Sequence, residues 1–135
     1  MSSTRRLSRE LALQVLFQQE FAPKQGVEAG LETFRRSFDA PADVWDYALQ
    51  LLKGFEVNHV AIDAVIQECS AHWKLKRMAL VDLIIMRVAA YELKFASDPV
   101  PAPVVINEAI EISKKYGTVD SAAFVNGILD QIVKH

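Results

Sequence analysis

Cysteine is almost missing: Cys69 stands alone in 135 residues. One thiol excludes an internal disulfide and suits a reducing compartment. Histidine is sparse too, at three, and His59 and His72 lack the spacing of paired metal ligands, so both read as surface or capping side chains. The five glycines are scattered, which rules out a glycine-rich phosphate loop, and neither GxSxG nor HExxH occurs. Glu108 and Glu111 share a helix face, but Lys115 lies one turn beyond Glu111 and makes them a surface ion-pair group rather than a catalytic carboxylate pair. These absences argue against an enzyme and against any cofactor or metal.

Long hydrophobic runs are lacking as well. The most apolar stretch, Met78 to Ala90, is interrupted by Asp82 and Arg87 and is too short to cross a bilayer. The N-terminus carries arginines without the apolar segment of a secretory signal. A cytoplasmic protein without membrane contact is expected. Net charge is only −2, so any nucleic-acid site must be a local patch.

Apolar residues make up 51% of the chain, enough for a proper core. Their spacing is helical throughout, with no alternating segment, so the expected fold is all-α with about seven helices. The first covers residues 4–21, with Leu7, Leu11 and Val15 on one stripe, widened by Ala12 and Leu16. A second spans Val27 to Phe38, and a third runs from Pro41 to about Glu56, with Val44, Ala48, Leu51, Leu52 and Phe55 inward. Asn58 is expected to cap a fourth, striped by Val60, Ile62, Val65, Ile66 and Cys69. Two helical subdomains are expected, dividing at about residue 75, one covering 1–75 and the other 76–135.

A short basic linker, His72-Trp73-Lys74-Leu75-Lys76-Arg77, precedes the central helix Met78 to Phe95. Its aromatic among cations suits single-stranded nucleic acid, or else Trp73 plugs the edge of the core. Asp82 and Arg87 are not one turn apart, so each requires its own partner or solvent. Prolines 99, 101 and 103 then stop the helix.

Val104 to Ile132 reads helix, stop, helix. Lys114, Lys115 and Gly117 end the first, Gly117 as a residue tolerating positive φ. Thr118, Asp120 and Ser121 restart the chain with capping side chains. The last helix holds Asn126-Gly127 in its interior, where Gly alone costs about 1 kcal/mol relative to Ala. Either the bare backbone permits close packing against the first helix, or the pair contacts a ligand. Phe124 is open in the same way, as a core residue or an exposed stacking surface.

Arg5, Arg6 and Arg9 lie within roughly 100° of one another on the first helix. Cations in a first helical turn oppose the macrodipole, so they read either as a solvated N-terminus or as an anion site for phosphates.

Three segments carry a resemblance: RRLSRELALQVLFQ from Arg5, VDLIIMRVAAYEL from Val81, and VVINEAIEISKKYGTVDSAAFVNGILDQI from Val104. In order and spacing they resemble the signature segments of the bacterial NusB transcription antitermination factor family. The resemblance implies two helical subdomains, no reaction and no cofactor. It implies binding of single-stranded boxA RNA of ribosomal RNA leaders together with NusE, a small-subunit ribosomal protein. It further implies membership of an RNA polymerase elongation complex with other Nus factors. Carried over by position, Arg5, Arg6, Arg9, Asp120, Phe124 and Asn126 form the expected RNA face, and Phe17, Asp82 and Arg87 the partner face. Ser8 replaces a common alanine, a minor change, and Leu83 replaces a frequent basic residue. Ala122-Ala123 replaces another, removing about one phosphate contact. A purely protein-binding helical adaptor, or a homodimeric scaffold, is the alternative reading.

Overall fold

The computed structural model describes the backbone from Ser2 and the side chains from Thr4, both to His135. Among the described residues there are six α-helices and no strand. They are α1 (Ser2–Phe21), α2 (Val27–Ser37), α3 (Ala42–Cys69), α4 (Leu80–Ala90), α5 (Ala102–Tyr116) and α6 (Ser121–Lys134). A 3-10 turn, Leu75–Arg77, precedes α4, and a π-helical turn, Tyr91–Phe95, follows it. The all-α expectation holds, with one helix fewer because two of the expected seven are continuous.

The join is at Asn58. Rather than capping a new helix, its amide donates to the Gly54 carbonyl one turn back at 2.8 Å and stays within α3. Continuity then sets the phase: burial runs from Leu52 and Phe55 to Ile62 and Ile66, and Val60, expected inward, is 83% exposed.

The helices group into two compact units, one ending at Lys53 and the other spanning Gly54–His135, with α3 running through the boundary. In the first unit Leu11, Ala12, Val15, Val27, Leu31, Val44 and Trp45 are buried. Gly30 lets α2 approach α1, since a Cβ there would stand 2.9 Å from Val15 Cγ1. Ser8, expected to be a minor change, is fully buried and donates its hydroxyl to the Val44 carbonyl at 2.7 Å. In the second unit α4 is buried almost all round, from Asp82 to Met86 and from Val88 to Ala90. It packs on α5 and α6.

Two details of the α5–α6 hairpin differ from expectation. Gly117 is extended (φ −95°, ψ −166°), so it is not there for positive φ. A Cβ would collide with the Ser121 hydroxyl and stand 2.9 Å from the Ser113 carbonyl. That hydroxyl accepts the Thr118 backbone N–H at 2.9 Å, while Asp120 makes no capping bond. Glu108, expected at the surface, is 3% exposed, and Glu111 pairs with Lys114 at 3.2 Å.

Candidate nucleic-acid interface

The arginines come first. In the first turns of α1, Arg5 is exposed and its guanidinium lies 4.1 Å over the Tyr47 ring. Such stacking fixes a long side chain without consuming its in-plane donors. Arg6 is half-buried, and Arg9 is 4% exposed with its guanidinium 5.9 Å from the same ring. A cavity of about 380 Å3 opens beside Arg5, lined also by Thr4, Asp43, Asp46, Tyr47 and Gln50. The two carboxylates temper the positive field there. Tyr47 carried no sequence signal, because its position on α3 belongs to the ordinary inward stripe.

Further along α1, Phe17 is half-buried and its ring lies 5.4 Å from that of Phe21, which is 73% exposed. An exposed phenylalanine tilted against a half-buried one makes a small apolar surface at the end of the helix.

Within the second unit, Asp82, Asp120 and Phe124 come together. With Trp73, Arg77, Met78 and Ala79 they line a cavity of about 320 Å3. Asp82 is 7% exposed, and its Oδ1 is buried without a hydrogen-bond partner among the described residues. A buried carboxylate oxygen left unsatisfied costs stability and marks a place where a donor is wanted. Thus one residue expected on the partner face and two expected on the RNA face share a single cavity. Phe124 is half-buried rather than a core residue, and its ring meets Trp73 edge to face at 6.0 Å.

Arg87 sits elsewhere. Its guanidinium donates to both Asp63 oxygens, at 2.8 and 2.9 Å, and lies 5.5 Å from the Phe55 ring. Asn126 is exposed beside Gly127, where an added Cβ would meet nothing within 4 Å. Among the described residues no group of three metal-binding side chains occurs, and no helix is long and apolar enough to cross a membrane.

An all-α chain in two units, with arginines at the start of α1 and an acidic–aromatic cavity beside α4 and α6, defines the class. The model of the NusB family matches residues 6–134. The transcription antitermination protein NusB of Bdellovibrio bacteriovorus is 53% identical over 98% of this chain and 96% of its own length. That of Geobacter sulfurreducens is 45% identical over 95% and 92%. Among solved structures, T. maritima NusB has a TM-score of 0.87 at 39% identity, covering 97% of this chain and 91% of its own. The NusB of a complex of NusB and NusE with double-stranded RNA shares the fold, with a TM-score of 0.84 at 24% identity over 99% of this chain and 98% of that one. The chain belongs to the NusB family of transcription antitermination proteins.

Proposed function

We propose that the protein acts in antitermination by binding single-stranded boxA RNA together with NusE and joining an RNA polymerase elongation complex with other Nus factors. It performs no reaction and works in the cytoplasm. The observation that carries this reading is the full-length match to antitermination proteins in a chain whose first helix opens with arginines. Arg5 and Arg6 supply phosphate contacts, and Arg9, buried near Tyr47, contributes charge rather than contact. Phe124 offers its ring to a base with Asp120 beside it, and the exposed Asn126, on another side of α6, supplies a separate polar contact. Phe17 faces the protein partner, Asp82 belongs with Asp120 and Phe124 to the RNA-side cavity, and Arg87 braces its own part of α4 through Asp63. A homodimer would use the same partner face.

The test is fluorescence anisotropy of a labelled boxA RNA, titrated with the protein alone and with NusE at two salt concentrations. Binding that weakens with salt and tightens with NusE is expected. Arg6→Glu should weaken it at least roughly tenfold, by losing one charge-assisted contact and adding repulsion, with helicity and melting unchanged. Parallel loss of fold and binding would sink the assignment of the arginines. NusE association without RNA binding would leave a protein adaptor.

A further inference from the structure

The basic linker between α3 and α4 is not absorbed by the reading above. Its tryptophan is 53% exposed, so it does not plug the core. Trp45, by comparison, is 3% exposed. Exposing an indole forgoes a large burial gain, and the backbone around it is firmly held nonetheless. The Trp73 backbone N–H donates to the Ser70 carbonyl at 2.8 Å, and Gln67 Nε2 donates to the Trp73 carbonyl at 2.8 Å. The Arg77 N–H donates to the Lys74 carbonyl at 2.9 Å. A rigid loop that displays an aromatic side chain has already met the ordering cost of binding.

The surroundings indicate what is bound. The indole stands nearly perpendicular to the Phe124 ring, at 86°, so the two rings form a corner at the cavity wall. Lys74, Lys76 and Arg77 are exposed on the same loop. The cavity that Arg77 helps to line adds two carboxylates: Asp82, nine-tenths buried with its unpartnered oxygen, and Asp120. Carboxylates repel phosphate and accept hydrogen bonds only, whereas a nucleobase brings a flat face and N–H donors. A cationic rim around an aromatic, acceptor-bearing cavity thus sorts a single strand, with phosphates outside and a base inside.

We propose that the Trp73 loop is a second RNA-contacting element, in which Trp73 stacks on an unpaired base neighbouring the one at Phe124. Lys74, Lys76 and Arg77 track the phosphates of that stretch. The inference rests on the RNA-binding reading and adds a site to it.

Intrinsic fluorescence tests it directly, because Trp45 is buried and Trp73 reports. Full-length protein with NusE is titrated with labelled boxA RNA, following anisotropy and tryptophan emission together. Emission should fall as RNA binds. Trp73→Ala should weaken binding roughly 5- to 100-fold, the effect of one lost base stack, and Trp73→Phe should restore most of it. Lys74→Ala with Lys76→Ala should lower the salt slope by about 1.4, at about 0.7 per single-strand phosphate contact. Circular dichroism and melting of each variant separate lost contact from lost fold, and Trp73→Phe serves where the alanine variant fails to fold. RNA binding that is abolished by Arg6→Glu, but leaves tryptophan emission unmoved and Trp73→Ala unaffected, would overturn the loop's role while sparing the RNA reading. A Trp73→Ala variant that loses NusE but keeps the RNA affinity of the protein alone would assign the loop to the protein partner instead. No RNA binding by the unaltered protein, with or without NusE, would take both readings down.

Discussion

Gly54 and Gly127 are both interior helical glycines, yet alanine should act on them in opposite directions. At Gly54, on α3, an added Cβ would run into Tyr91 Cε1 and Cζ and lie 2.7 Å from its hydroxyl oxygen. Carbon atoms pack best at about 3.5–4.0 Å, so the ring would have to retreat by more than about 1 Å. Tyr91 is 6% exposed and opens the π-helical turn after α4, which leaves a rigid ring little room. Alanine gains about 1 kcal/mol in helix propensity, while overpacking of this kind costs about 1–3 kcal/mol. Because the collision is with the body of a buried ring, the upper part of that range applies, and the net loss is about 1–2 kcal/mol. For a chain of this size that lowers Tm by roughly 3–10 °C. At Gly127 the added methyl meets open space, so the propensity gain stands and stability should rise by up to about 1 kcal/mol. Thermal and urea unfolding of the two variants, followed by circular dichroism, supply the comparison. A Gly54→Ala protein at or above the parent Tm would refute the reasoning, because Tyr91 would then yield freely. Tyr91→Leu should cost less in the Gly54→Ala background than alone, a coupling of about 0.5 kcal/mol or more for residues in contact.

Three other outcomes are expected. Ser8→Ala should cost about 0.5–1 kcal/mol in urea unfolding, since one buried hydrogen bond is lost while Val44 keeps its place in α3; no loss would show that the hydroxyl is replaceable by a family-typical alanine. Arg87→Ala should cost about 1.5–3 kcal/mol, because both bonds to the mostly buried Asp63 go at once, and Arg87→Lys should recover only part, lacking the planar fork. An unchanged Tm would mean that solvent screens the pair. Burial pushes the Cys69 thiol up, Glu68 adds to this and Lys94 opposes it, so the thiol stays protonated at neutral pH. Its alkylation should be slower than that of an exposed cysteine and should accelerate only as pH rises past the ordinary thiol range; a rate equal to that of a free thiol at neutral pH would contradict this.

How far the sequence could be read depends on what each signal measures. Apolar spacing measures the face of a helix, and it placed Leu11, Ala48, Leu51, Leu52, Ile62 and Ile66 correctly inside. It does not measure depth. Arg9 and Glu108 lie at positions that a wheel assigns to polar surface, and both are under 5% exposed. Local chemistry is ambiguous in another way. An asparagine amide serves equally as an N-cap or as a bond to the carbonyl one turn back, so Asn58 looked like a start where α3 merely continues. The site itself could be assembled only in three dimensions. Asp82 on α4, Asp120 before α6 and Trp73 in the linker have no common period, and their shared cavity follows from how α4 and α6 pack.

The two glycines show where such ambiguity becomes informative. Nothing in the flanking residues tells Gly54 from Gly127, because the propensity cost of each is local and identical in kind. What differs is the object opposite: a buried ring at one, empty space at the other. A packing glycine is explained by its neighbour. Gly127 has none within 4 Å, and the exposed Asn126 stands beside it, so a cost of about 1 kcal/mol is carried on the surface of α6 with no return inside the folded chain. Such a residue permits close approach of a backbone from outside. The prediction is that this face of α6 is covered when RNA or NusE is bound. It also separates stability from function in one variant: Gly127→Ala should melt higher while binding more weakly. Higher melting with unchanged binding of both RNA and NusE would show that the glycine serves neither.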